Sequence, residues 1–448
     1  MTTDLSQHAL RRRTVSWVVA LATVGLIFDG YDLVVYGTVV SGFLRDASQI
    51  GRVTPATAGA LGSYALVGVL VGALLAGSVG DLLGRRKVML FSYAWFSVGM
   101  AVTAISTTTA MFGLMRFITG LGVGALVATT GALVSEYAPK GRKNLCNAIT
   151  YSGVPLGSLL AAMLAILLLH HIGWRGMFWI GALPLVTLLP IAYFKMPESA
   201  AWLVSRGRLD EARAVSERTG VALPERVTVT PIASDKAGFA GLFGSYLFPT
   251  IMLGLMSATG LVLVYSLNTW LPELMLRAGF DAKGSLSFLL VLNGGAVIGA
   301  LAGSRMADRF GPKPVVAACF LIGSISIALL TFNVPVGMLL ALVAIVGLGT
   351  SGTQTLIYGF VANYYRTNVR GAGVAWCAGF GRLGGVIGPV LGGALISSGL
   401  ALNSIFYVLA MIGIVGTVLT LVVPKAHGAR EMKAARDVPV LGPEAEKL

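Results

Sequence analysis

The chain alternates long apolar runs with short polar breaks, and the runs are long enough for helices crossing a hydrocarbon core, which takes about 20 residues at ~1.5 Å rise. Inside a bilayer the backbone must satisfy its own hydrogen bonds, so such runs are expected to be helices. Twelve are predicted, over residues 17–40, 57–79, 88–106, 110–134, 146–169, 176–195, 246–271, 285–304, 314–333, 337–362, 373–397 and 403–423. The one long polar stretch, 196–245, carries a short helical pattern from Leu209 to Glu217 and separates six runs from six. The expected organisation is an N-terminal six-helix half (1–195), a cytoplasmic linker (196–245), a C-terminal six-helix half (246–423) and a cytoplasmic tail (424–448). The fold class is all-α integral membrane.

Composition strengthens this reading. Of 448 residues, 56% are hydrophobic, only 12% are charged and 58 are glycine, with a mean hydropathy of +0.81. Soluble domains hold about twice that share of charge, so a soluble enzyme is excluded, and abundant glycine fits closely packed membrane helices. The net charge of +14 does not indicate a nucleic-acid partner, because the basic residues sit between apolar runs rather than on one face. With both termini in the cytoplasm, 26 of the 33 Lys and Arg lie inside, 5 outside and 2 within spans. That asymmetry predicts this orientation for a multi-pass protein, and the membrane expected is the bacterial cytoplasmic membrane. Arg11, Arg12 and Arg13 before the first run suggest a secretion signal, but no small-residue cleavage site follows and the run holds two aspartates, so it is read as a membrane helix.

Metal and cofactor chemistry find no support. Cys146, Cys319 and Cys377 are isolated, so they form neither a disulfide framework nor a ligand set and are read as small buried thiols. His170 and His171 are read as an interfacial pair. Gly120-x-Gly122-x-Gly124 lies within a span with no strand before it, which excludes a dinucleotide loop. No cofactor and no metal are expected.

The halves repeat. Asp81-x-x-Gly84-Arg85-Arg86-Lys87 is echoed by Asp308-x-x-Gly311-Pro312-Lys313 at a shift of 227 residues, which also relates Glu136 to Asn363 and Lys143 to Arg370. Duplicated halves of this kind are a transporter signature, with the substrate site between them at mid-membrane.

Only four charged residues fall well inside the apolar runs: Asp29, Asp32, Arg116 and Arg382. Each costs on the order of 2.5–3.5 kcal/mol at a helix centre, so each is expected to face a cavity or a partner. Asp29 and Asp32, at i and i+3, share one helix face. Two close carboxylates in poorly hydrated surroundings disfavour double ionisation, so one can take a proton on one side of the membrane and release it on the other. Arg116 is read as their coupling partner. Arg382, among glycines that admit a close ligand, is read as a two-point clamp for an anionic substrate. Asp81, Arg85, Arg86 and Glu136, with Asp308 as a weaker counterpart because Pro312 stands where the first half has an arginine, are read as a cytoplasmic charge latch holding the outward-facing state.

Several motifs are similar to those of a known family. Gly77-x-x-Gly80-Asp81-x-x-Gly84-Arg85-Arg86 resembles the loop signature of the major facilitator superfamily. Pro197-Glu198-Ser199 with Trp202-Leu203 resembles its signature after the sixth span, and Arg116-x-x-x-Gly120-x-Gly122-x-Gly124 its proton-coupling motif. Phe28-Asp29-Gly30-Tyr31-Asp32-Leu33, continuing through Tyr36-Gly37, resembles the aromatic acid:proton symporters, especially benzoate transporters. Gly379-Phe380-Gly381-Arg382-Leu383-Gly384 through Gly388-Pro389 resembles the eleventh span of those symporters. The resemblance implies a proton-coupled importer of aromatic carboxylates of the benzoate or hydroxybenzoate type, working as a monomer by rocking of the two halves. The partners implied are a small aromatic carboxylate, protons and the lipid bilayer. The substrate ring then needs apolar or aromatic walls, for which Tyr31, Tyr64, Tyr265, Tyr358 and Trp376 are candidates, with Asn293 and Gln354 for ring hydroxyls. The alternative is a proton-coupled porter of sugars or other organic acids. Asp29, Asp32 and Arg382 argue against a neutral sugar, which needs no buried guanidinium.

Overall fold

The structure, a computed structural model, describes residues 2–139, 142–221, 223 and 238–424. Part of the expected linker and residues 425–448 of the expected tail lie outside them.

Among the described residues the chain is helical and has no strand. The helices are α1 (Thr2–Arg45), α2 (Pro55–Leu83), α3 (Arg85–Ala104), α4 (Thr109–Tyr137), α5 (Lys143–Tyr151), α6 (Gly153–Ala182) and α7 (Leu188–Lys195). The linker contributes α8 (Ala200–Ser205) and α9 (Leu209–Thr219), the latter on the stretch where a short helix is expected. After it come α10 (Gly238–Ser245), α11 (Leu247–Arg277), α12 (Ala282–Phe310), α13 (Pro312–Leu329), α14 (Val336–Gly347), α15 (Thr353–Tyr364), α16 (Thr367–Ser397) and α17 (Leu402–Val422). Eleven stretches of the described residues are long and apolar enough to cross a membrane. One of them, Leu145–Lys195, runs 51 residues. Gly173 interrupts it with φ 64, so it accommodates the fifth and sixth of the twelve expected spans.

The helices outrun the apolar runs that predict them. α1 begins at Thr2 rather than near residue 17, and α4 continues to Tyr137, past residue 134. Hydropathy marks where lipid stops, whereas a helix stops at a breaker or a cap. Thr54, Thr108 and Asp281 supply such caps, each side chain accepting the amide three residues on. The breakers are Gly84 (φ 97, ψ 156) and Gly311 (φ 87, ψ 150), in a region open essentially to glycine alone. These two turns stand 227 residues apart, so the sequence repeat is also a backbone repeat.

Glycine decides how close the helices come. An added Cβ at Gly157 of α6 would strike the Ile27 carbonyl of α1, and at Gly120 or Gly124 of α4 the Ala65 or Val69 carbonyl of α2. At Gly384 of α16 it would strike the Ala258 carbonyl of α11. These are backbone-to-backbone crossings of the kind small residues permit in membranes. Two more of them join helices before the linker to helices after it: Gly37 of α1 against the Asn268 carbonyl of α11, and Gly59 of α2 against the Pro389 carbonyl of α16.

The bundle has two ends. At the linker face, Arg86 donates to the carbonyls of Met196 (2.7 Å) and Tyr193 (2.6 Å), and Tyr137 to that of Glu198 (2.5 Å). At the opposite face, Trp174 donates to Gln49 (2.7 Å) and Thr109 to the Ile50 carbonyl (2.8 Å). The bridging crossings at Gly37 and Gly59 lie toward this opposite face, as do two polar contacts between the helix groups. Ser63 donates to the Val386 carbonyl at 2.6 Å, and Arg45 pairs with Glu273 at 3.0 Å.

Candidate functional site

Near the middle of α1, Asp29 and Asp32 are 6% and 2% exposed. They meet different partners. Asp32 closes an ion pair with Arg116 of α4, both side chains only 3% exposed. The Arg116 guanidinium also lies 5.5 Å from the Tyr36 ring centroid and 6.0 Å from that of Phe178. A buried guanidinium held by a carboxylate and two ring faces is a fixed charge.

Asp29 stands apart from that pair. The charges that act on it are those of Arg382, on α16, and Asp32. Among the described residues neither Asp29 nor Arg382 makes a hydrogen bond or an ion pair. Tyr265 of α11, Tyr151 of α5 and Tyr358 of α15 complete the neighbourhood, since both Tyr265 and Tyr151 feel Arg382, Asp29 and Tyr358. One cationic fork, one carboxylate and three phenols, on five helices from both sides of the linker, thus lie within electrostatic reach of one another.

Local sequence explains the aim of Arg382. Gly381 and Gly384 put α16 against Ser257 and Ala258 of α11, whereas a Cβ at Gly379, one turn before Arg382, would meet nothing within 4 Å. The small residues take the packing face and leave the half-buried arginine on another. α15 is reached through a wide helical turn at Leu348–Gly352. There Gly349 lies against Gly323 of α13, and the extra residue in the turn re-aims Gln354 and Tyr358.

The other sequence-predicted residues are spread. Tyr31 is 2% exposed and donates to the Met177 carbonyl (2.8 Å), clamping α1 to α6. Tyr64 is 47% exposed on α2, where a Cβ at Gly113 of α4 would touch it. Trp376 donates to the Thr250 carbonyl (2.9 Å) and stacks on Phe380 at 5.0 Å, toward the linker face. Asn293 donates to Asn268 (3.0 Å), and Gln354 to Ser257 (3.0 Å) with its Oε1 buried and unpartnered. Tyr265, Tyr358 and Arg382 are therefore brought together with Asp29, while Tyr31, Tyr64 and Trp376 take other neighbours.

Of the residues expected to form a latch, Arg85 of α3 approaches Glu136 of α4 at 3.8 Å. The Arg86 amide donates to Glu198 at 2.9 Å. These contacts lie within the helices before the linker and at its start. Asp308 is exposed, while Lys313 donates to the Val423 carbonyl at 2.5 Å. The side chain of Asp81 is outside the described residues.

Sequence reading passed over Tyr151, Asn268, Ser257 and the triad Arg45, Glu273 and Arg277. In that triad Glu273, 2% exposed, accepts from Arg277 at 2.9 Å and pairs with Arg45 at 3.0 Å. Asn268 and Ser257 were open to detection as polar residues at mid-run. Tyr151 sits near a span end, where an aromatic ring ordinarily marks an interface.

Comparison with known proteins adds the family. The model of the "Sugar (and other) transporter" family matches residues 18–292 and that of the "Major Facilitator Superfamily" residues 284–442. A benzoate transport protein of Acinetobacter baylyi is 36% identical, over 85% of this chain and 83% of its own. A gentisate transporter of Corynebacterium glutamicum is 36% identical, over 85% and 81%. In fold, a partially occluded inward-open xylose transporter of E. coli is similar with a TM-score of 0.71 at 18% identity, over 92% of this chain and 98% of that one.

Proposed function

Since the chain belongs to the major facilitator superfamily, among its aromatic acid transporters, we propose that it imports small aromatic carboxylates with protons by alternating access. The observation that carries this is Arg382, half-buried at mid-span and unpaired among the described residues, beside an unpaired Asp29. A guanidinium fork matches a carboxylate through two hydrogen bonds. Tyr265 and Tyr358 supply ring faces and hydroxyls around it.

In this reading Asp32 and Arg116 neutralise each other and set the local field, and Asp29 is the carboxylate free to change protonation. A proton on Asp29 removes the charge that competes with the substrate carboxylate for Arg382, so proton and anion load together. Deprotonation lets Asp29 attract Arg382 and helps to expel the substrate. Residues 1–195 and 246–423 act as the two rocking halves. The linker face is cytoplasmic, following the excess of Lys and Arg there, and the protein sits in the bacterial cytoplasmic membrane. The closed crossings at the opposite face correspond to an outer gate, and Arg85, Arg86, Asp81 and Glu136 to the inner latch.

The test is uptake of labelled benzoate, with hydroxybenzoates and glucose as competitors, with and without a protonophore. Accumulation that collapses with the protonophore and yields to hydroxybenzoates supports the reading. Competition by glucose alone supports a sugar porter, and accumulation indifferent to the protonophore removes proton coupling.

A further inference from the structure

At the linker face a cavity of about 780 Å³ opens between α1 and the start of α5. Its lining includes Arg11, Arg12 and Arg142 together with mostly apolar side chains, among them Val19, Leu145 and Ile149. Among the described residues the three arginines have no carboxylate partner. Three uncompensated cations around one hollow fit an anion bearing more than one oxygen, and guanidinium forks suit phosphate.

The cavity is separate from the Arg382 cluster. Leu145, Cys146 and Ile149 share one side of α5, which Arg142 precedes as its N-cap residue. Tyr151 lies on the other side, donating to the Val127 carbonyl of α4 at 3.2 Å. The apolar wall is also uncovered, with Leu145 55% and Ile149 47% exposed, as expected of side chains that meet hydrocarbon. Cations at one level and bare aliphatic side chains at the next reproduce the two zones of a phospholipid.

The geometry points to a binding site for an anionic phospholipid, with phosphate on Arg11, Arg12 and Arg142 and an acyl chain along Val19, Leu145 and Ile149. The inference does not rest on the transport reading, because no residue of the proposed pathway is part of it.

The experiment is native mass spectrometry of the full chain in neutral detergent. The probes are phosphatidylglycerol, cardiolipin, phosphatidylcholine and inorganic phosphate. The anionic lipids are expected to stay bound when phosphatidylcholine is lost. R11Q/R12Q/R142Q is expected to weaken their retention about a hundredfold, roughly a factor of five per arginine. R305Q/R309Q/R370Q, which removes the same charge elsewhere on the linker face, should retain them. Photoactivatable phosphatidylglycerol gives a reading that needs no variant, its crosslinks falling on residues 11–24 and 139–149 of the native chain. Equal retention in the two triple variants, displacement of lipid by inorganic phosphate, or crosslinks elsewhere would each overturn the proposal.

Discussion

Two buried carboxylates three residues apart differ in their partners. Asp32 is locked to Arg116, both nearly inaccessible, so Asp32→Asn leaves a guanidinium uncompensated, a change that costs about 3–5 kcal/mol. Asp29 makes no such pair among the described residues. Asp29→Asn is therefore expected to fold normally and to lose proton-driven accumulation while keeping benzoate exchange. Asp32→Asn is expected to lower Tm as well. Counterflow and accumulation assays on both variants, with melting curves, check this; full accumulation by Asp29→Asn would remove it as the proton carrier. Arg382→Lys keeps the charge but loses the planar fork. Losing one of two charge-assisted bonds, each about 1.5–3 kcal/mol, is expected to weaken benzoate binding roughly tenfold to a hundredfold. Arg382→Ala should cost more, while benzamide, lacking the carboxylate, should change little in either. Titration of both ligands against the three forms decides it, and equal losses for both would make Arg382 structural.

At the scale of elements, the glycines set helix spacing. Gly157→Val would push α6 off the Ile27 carbonyl of α1, whereas nothing lies within 4 Å of a Cβ at Gly359 of α15. The first substitution is expected to cost about 1–3 kcal/mol by overpacking, and the second almost nothing. Melting of the purified variants separates them, and matching Tm values would show that α1 and α6 tolerate a wider crossing. The apolar runs located the membrane part of each helix but missed the ends, because Arg85 and Pro312 follow their turns on account of glycine backbone conformation rather than hydropathy.

For the whole molecule, the decisive feature is closure at the face opposite the linker. Glu273 ties Arg45 of α1 to α11 there, so Glu273→Gln removes an ion pair between the helix groups and leaves two arginines repelling each other. Spin labels at residues 48 and 283 are expected to show added longer distances in that variant. An unchanged distance distribution would mean that the glycine crossings alone keep this face closed.

Much of this protein was legible along the chain. The period of apolar runs determined a helical membrane protein, the 227-residue echo determined its repeat, and the rarity of charge inside the runs singled out Asp29, Asp32, Arg116 and Arg382. These are properties of single segments against lipid, where an apolar helix or a buried charge carries its cost whatever its neighbours. What the sequence left open is which residues meet across segments. The pairing of Asp32 with Arg116, the placing of Tyr151 within electrostatic reach of Arg382, and the turning of Tyr31 onto Met177 depend on helix rotation and crossing. Those are set by backbone contacts at glycines such as Gly30, Gly157 and Gly384. A rotation of one residue, about 100° on a helix, moves a side chain from cavity to lipid, and only the packed bundle decides it.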